Sequence, residues 1–305
     1  MSEARKHHYL PQAYLKNFSI EYKNKQLFVL DGSSNKSYVS SILDLAQRRD
    51  FNRVEIDGYD PNFIEKHMAT FESKLAASIK NIINGGVFLK ETKDYILTFI
   101  ALAVVRSPQM REHFSGFLTT TVDKIMDISL SSEEIWNKCQ KDSGDKHKIS
   151  FSEAKDFFES KKYKITTNKE YHIELEFKLT DVIYPYLQAR NWQLITANRQ
   201  ENTFLTSDNP VRLDWNNPEE IPVLYRRSPG FAMKNTTVYF PLTRHHYLIG
   251  TFERPSGYLE GTPEIIAACN SHTISFAYKQ VFSSDSKAKF LDDANRISTI
   301  DKIFT

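Results

Sequence analysis

Four side chains of acid, base and cation type stand out for the chemistry they can do: His8, Glu72, Arg106 and Asp208. A histidine moves protons near neutral pH, a carboxylate can orient that histidine or bind a divalent ion, and a guanidinium holds phosphate. Each of the four is lodged beside apolar pattern. One shared pocket explains that more economically than four independent salt bridges.

His8 lies in His7-His8-Tyr9-Leu10-Pro11-Gln12-Ala13-Tyr14-Leu15-Lys16-Asn17-Phe18. Tyr14, Leu15 and Phe18 follow Pro11 at helical spacing and can dock a short helix, with His8 just before its N-terminus. Backbone N–H groups there hold anions and depress an imidazole pKa. From this segment alone, a histidine that only hydrogen-bonds in a packed stretch is the commoner reading. Glu72 flanks an apolar helical stripe, one turn from Met68 and from Leu75. Arg106 shares a helix face with Phe99 and Leu102 and sits at a break before Pro108, so it needs an anionic partner: Glu72, Asp208 or a bound anion. In Thr206-Ser207-Asp208-Asn209-Pro210, Pro210 turns Asn209 away from helix, and Asp208 is presented at a strand end in a tight turn; from spacing alone an ordinary Asp-Asn turn is the commoner reading, while the catalytic reading takes Ser207 and Asn209 as flanking substrate-binding groups.

Weaker signals are set aside. Glu174-Leu-Glu176-Phe-Lys178 has the spacing of a nuclease carboxylate-x-lysine motif but lies in a helical pattern. His245-His246 reads as adjacent strand residues facing opposite ways, unable to chelate one ion. Arg226-Arg227 and Lys161-Lys162-Tyr163-Lys164 are small basic patches of the kind that usually face solvent. There is no glycine-rich phosphate loop, paired-glycine dinucleotide turn, His-Glu-x-x-His or Gly-x-Ser-x-Gly, which argues against P-loop kinases, Rossmann dehydrogenases, zincins and ordinary α/β-hydrolases.

The elements that must position these residues follow from period. Gln26–Leu30 and Lys36–Ser40, joined by Asp31-Gly-Ser-Ser-Asn35, predict a small N-terminal hairpin. Ile64, Met68, Phe71, Leu75, Ile79 and Ile82, closed by Gly85-Gly86, predict an amphipathic helix. A longer helical stretch from Glu91 to about Ile128 is apolar on all sides from Tyr95 to Val105 and breaks at Arg106-Ser-Pro108. Residues 131–168 are polar and Lys-rich, with the loop signal Asp142-Ser-Gly-Asp145, and read as a helical insertion. Helical period resumes from Tyr171 to Arg190 through Ile173, Phe177, Val182, Ile183 and Leu187. Strand-like runs follow at Trp192–Ala197, Thr203–Thr206, Pro222–Arg226, Thr237–Leu242 and His246–Phe252, the first two separated by Asn198-Arg-Gln-Glu-Asn202, before a helix at Pro263–Ala277. The expectation is one α+β domain over residues 1–305, a helical middle packed on a mainly antiparallel β-rich C-terminal part, with Pro210 and Pro241 at strand ends.

Composition narrows the partners. Lys plus Arg number 40 against 38 Asp plus Glu, so a nucleic acid must be met by a local patch, not by a global field. Two cysteines are too few for a disulfide framework and suit a reducing cytoplasm. The apolar run Tyr95–Val105 falls short of the roughly 20 residues a membrane span needs.

The order His8-Tyr9-x-Pro11-x-x-Tyr14-Leu15-x-x-Phe18, a helix with Glu72, Arg106 before a proline, Trp192, Thr206-Ser207-Asp208-Asn209-Pro210 and Phe240-Pro241-Leu242 resembles the bacterial family called domain of unknown function 4238. The resemblance runs from about Lys6 to Val281 and implies that His8, Glu72, Arg106 and Asp208 are the polar positions marking the family. It carries no activity. The residues suggest a hydrolase of a phosphodiester or nucleotide, nuclease-like, with His8, Glu72 and Asp208 catalytic, Arg106, Ser207 and Asn209 on substrate, and room for a divalent metal. The alternative is a non-catalytic ligand-sensing or protein-interaction component, of bacterial defence for example, with a nucleic acid, nucleotide or protein partner and no membrane.

Overall fold

The computed structural model describes residues 5–19, 25–58, 60–143, 149–197, 203–227 and 229–304. The Asn198–Asn202 loop and the Gly144-Asp145 end of the Asp142–Asp145 turn lie outside them. The chain divides into two units, Met1–Ser107 with Ile173–Thr305, and Pro108–His172.

The larger unit opens with β1 (Lys6–His8), the short helix α1 (Gln12–Leu15), β2 (Gln26–Asp31), β3 (Lys36–Ser41) and β4 (Gln47–Arg49). β2 and β3 form the expected hairpin. Asp31 Oδ1 accepts the Ser33 amide N–H at 2.9 Å, and Asn35 takes a positive φ of 52°, a conformation asparagine tolerates better than most residues. β1 pairs antiparallel with β4.

Two helices follow, α2 (Phe63–Ile83) and α3 (Lys90–Val105), packed together. α2 buries Met68, Leu75, Ile79 and Ile82, the predicted stripe. It ends at Asn84, and Gly85 takes φ +84°, the left-handed turn that a side chain would resist. α3 is buried over Ile96–Ala103 apart from the half-buried Thr98 and stops at Arg106.

The smaller unit holds α4 (Pro108–Ser129), α5 (Glu133–Ser143) and α6 (Phe151–Glu159). Ser150 and Glu153 cap α6 reciprocally. α7 (Lys169–Gln188) begins in this unit and passes into the larger one. Its buried residues in the larger unit are Ile173, Glu176, Thr180 and Leu187, whereas Phe177 and Val182 are exposed. The expected stripe was out of phase by one residue because a buried Glu and Thr look polar in sequence.

The β-rich part comprises β5 (Asn191–Ala197), β6 (Thr206–Ser207), β7 (Arg212–Trp215), β8 (Thr236–Thr243), β9 (His246–Thr251) and β10 (Gly257–Gly261), then α8 (Pro263–Phe276), β11 (Gln280–Ser283), β12 (Lys289–Leu291) and β13 (Ile297–Thr299). One sheet runs β10-β5-β9-β8-β7, antiparallel except for β10 beside β5. Another runs β3-β2-β11-β6, so the N-terminal hairpin is an edge of a C-terminal sheet. Trp192 faces Gly250 across the β5–β9 ladder, where a Cβ would come within 2.8 Å of the indole.

Three strand expectations need correction. The Thr203–Thr206 run is strand only at Thr206, where the two-residue β6 begins. Residues 223–225 form a 3₁₀ turn whose side chains stand in solvent; Pro222 precedes it, and Arg226 Nε closes it on the Ile221 carbonyl. Pro241 lies inside β8, next to a register shift between Pro241 and Thr243, not at a strand end. A bulge is the one interior place where a residue lacking an N–H is tolerated.

The main core joins α1, α2, α3 and the end of α7 to the five-stranded sheet through Tyr14, Phe18, Leu75, Phe99, Leu187, Trp192, Phe240 and Leu248. The fold is α+β, with helices in the middle of the chain and mostly antiparallel sheets in its C-terminal part. No helix among the described residues is long and apolar enough to cross a membrane. Tyr14 is a junction of this core: its ring lies 4.9 Å from Phe99 and 5.6 Å from Phe240, and its hydroxyl donates to the Pro241 carbonyl at 2.7 Å and meets Thr206 Oγ1 at 2.8 Å. Tyr14→Phe should cost about 1 to 3 kcal/mol, a lower urea midpoint at unchanged m-value, because two buried polar groups lose their partner.

Candidate active site

Strand alternation sets the first histidines apart. His7 is fully buried and its Nδ1 accepts the Asn52 amide N–H at 2.9 Å, while His8 turns the other way and stays half-buried. Burial lowers the His8 imidazole from its usual 6.5, against the carboxylates of Glu65 and Asp44 and the backbone of Leu43 and Ile42, which pull it up. The direction matches the sequence expectation, but the cause differs: α1 is only four residues long and offers His8 no helix terminus to act on it. Gln12 Nε2 lies 3.4 Å from His8 Nδ1.

Glu72 sits on α2, half-buried. Burial pushes its carboxyl up to about 7; the Arg106 guanidinium pulls it down and the neighbouring Glu65 pushes it further up. Glu65 thus influences both His8 and Glu72, and it is itself held by Asn52 Nδ2, which donates to Glu65 Oε2 at 2.6 Å.

Arg106 caps the end of α3 and is 4% exposed. Its amide N–H donates to Leu102 O at 2.8 Å, continuing the helix to the break at Pro108. The expected anionic partner exists, but the ion pair is with Glu176 on α7, Nε to Oε2 3.9 Å, and Glu72 is a second acid that feels its charge. Glu176 is 3% exposed. It belonged to the motif set aside in sequence, and its position in the Ile173–Thr180 stripe is the signal that would have found it.

Ser207, Asp208 and Asn209 form a turn that serves the fold. Ser207 is fully buried, and its Oγ accepts the Asn209 amide N–H at 3.2 Å; Asn209 Nδ2 donates to the Phe276 carbonyl at 3.2 Å. The Asp208 carboxylate accepts the amide N–H groups of Tyr278 and Lys279, both at 2.8 Å, and of Gln280 at 3.1 Å. Burial still pushes this carboxyl up to about 6 against those donors. Its charge also reaches Tyr9, whose phenol is raised first by burial and then by Asp208. Electrostatically, Glu65 acts on both His8 and Glu72, Arg106 acts on Glu72, and Asp208 acts on Tyr9. Among the described residues no group of three or more His, Cys, Asp or Glu side chains is arranged to hold a metal ion.

An α+β fold in which the opening His-Tyr-x-Pro segment, the Ser-Asp-Asn-Pro turn and the Phe-Pro-Leu strand converge around one tyrosine defines a class with a single ordered motif set. The chain belongs to the family described as protein of unknown function (DUF4238), which it matches over residues 6–287 of 305. No curated protein matches the chain, and no solved structure does.

Glu72 has a testable signature. An acid raised by folding favours the fold only while protonated, so its contribution is complete below about 4.5 and fades as pH rises through about 7. Glu72→Gln keeps the shape and removes the titration. The variant should gain on the wild type between about pH 5 and about pH 8, by on the order of 1 to 3 kcal/mol, read from urea unfolding at each pH. A difference that stays flat with pH would show a solvated carboxyl.

Proposed function

We propose that the protein is a hydrolase of a phosphodiester or nucleotide substrate. The observation that carries this reading is a half-buried histidine and a half-buried glutamate disposed about Glu65, one lowered and the other raised, so that base and acid coexist near neutral pH. In this reading neutral His8 takes the proton of the attacking water, and protonated Glu72 gives its proton to the departing oxygen. Arg106, buried and paired with Glu176, acts as a positioning charge on Glu72. Asp208 holds the backbone at 278–280, and Ser207 and Asn209 keep that turn in shape.

A second reading is favoured by one observation: Arg106, Ser207 and Asp208 are each at most 5% exposed. A polar set turned inward suits a ligand-sensing or protein-interaction component in which the cluster fastens helices to sheet.

A panel of RNA, DNA and free nucleotides, assayed with and without Mg²⁺ or Mn²⁺, separates the two. The hydrolase reading expects turnover of a panel member and a fall of about 10² to 10⁴ in His8→Gln with the urea midpoint nearly unchanged. A wild type that turns over none of them, while binding a ligand or protein partner, overturns it in favour of the second reading.

A further inference from the structure

A cleft of about 640 Å³ opens between the 3₁₀ turn Lys16–Phe18, the last turns of α2 and the β8–β9 turn. Lys16, Lys80, Arg244, His245 and His246 line it, with no Asp or Glu among the described lining residues. None of Lys16, Lys80 and Arg244 forms an ion pair with a described carboxylate. Arg244 is half-buried, and burial works against its charge while Asp285 is the acid it feels. Three cations converging on one concavity, one of them partly desolvated, create an electrostatic demand that a bound anion meets.

The wall is built in advance. Arg244 and His245 make the two-residue link between β8 and β9. The Arg244 amide N–H donates to Asn17 O at 3.0 Å, and the Arg244 carbonyl accepts the Phe204 N–H at 2.8 Å. The His245 carbonyl accepts the Ala197 N–H at 2.9 Å, and Thr243 Oγ1 accepts the His245 N–H at 3.0 Å and meets His246 Nδ1 at 2.9 Å. His245 lies in the turn and His246 opens β9, and both residues line the cleft. The C-terminal end of α2 carries negative partial charge that opposes an anion, but the carbonyls of Lys80, Asn81 and Ile82 are already capped by the amides of Asn84, Gly86 and Gly85.

We infer that this cleft binds a small phosphorylated anion, a phosphomonoester or polyphosphate, through Lys16, Lys80 and Arg244. Among the described lining residues the rings are the imidazoles of His245 and His246, so the recognition rests chiefly on the three cations. Its volume suits a ligand of that size. The inference does not depend on the hydrolase reading, yet the two places share their helices. Lys16 lies four residues beyond Gln12, which touches His8, and Ala76, on the cleft wall, lies four beyond Glu72. The cleft therefore begins one helical turn from the acid–base pair.

Calorimetric titration with inorganic pyrophosphate at low salt tests this. Wild type should bind, more weakly as salt rises, and Arg244→Gln and Lys16→Gln should each weaken binding at least about tenfold. Lys80 is exposed, so Lys80→Glu can be made without threatening the fold, and it should weaken binding as much. Glu72→Gln should bind as wild type does, which separates this site from the proposed catalytic pair. Absence of binding to wild type, or equal binding by wild type and Lys80→Glu, overturns the inference.

Discussion

The hydroxyl of Tyr14 is the point on which the fold turns. It donates to Pro241 O and so can only accept from Thr206 Oγ1, which ties α1 to β8 and to β6 through one buried oxygen. Its ring packs on Phe18, Phe99 and Phe240, adding α3 to the junction. Three motifs far apart in the chain are thereby held in one register. His8 lies six residues before this anchor and Asp208 two residues after Thr206, so both inherit their positions from it.

Around that junction the protein meets the problem of buried charge in three ways. Arg106 faces an acid, Glu176, at the end of α3. Arg190 is 2% exposed and takes carbonyls: its guanidinium donates to Thr236 O at 2.7 Å, Phe231 O at 2.9 Å and Gly250 O at 3.2 Å, and lies 4.3 Å over Phe252. Burial lowers it to about 10, still charged at neutral pH. Asp208 is the mirror case, a carboxylate on three amides. Several strong partners make such groups tolerable in a low dielectric, even where one atom, Arg190 Nε, is left without an acceptor, and a group so occupied has little left for a ligand. His8 and Glu72 differ because they are only partly covered and their charges remain free to change.

The sequence was readable where one period ruled. The α2 stripe, the all-round burial of α3, the 26–41 hairpin and β5, β8 and β9 all emerge from apolar spacing, because burial on one face leaves a periodic trace. The α7 phase was missed because Glu176 and Thr180 occupy apolar positions in that trace: the charge of Arg106, which is distant in sequence, explains the first, and the Thr180 hydroxyl donates to the Glu176 carbonyl within the helix. β11 was missed for a similar reason: four residues, buried because β2 and β6 flank them, carry no local signature. The burial of Arg106 could be read from Phe99 and Leu102, but its partner could not, since pairing is a property of the packed helices. The cleft was hidden because its cations come from three elements and its histidines from the β8–β9 turn and the first residue of β9.

The chemistry proposed for Glu72 rests on where it stands along α2. A helix favours acids near its N-terminus and cations near its C-terminus, and α2 has Glu65 in its first turn and Lys80 in its last. That support fades within one turn. Glu72 is nine residues past Phe63, about two and a half turns in, too far for the N-terminal amides to help it. It keeps Arg106 as a helper, but Arg106 already faces Glu176, and Glu65 repels it. Burial then outweighs attraction, and the carboxyl rises towards neutrality. Proton exchange near neutral pH is therefore a consequence of helix position, set by the apolar stripe that fixes which residues of α2 face inward.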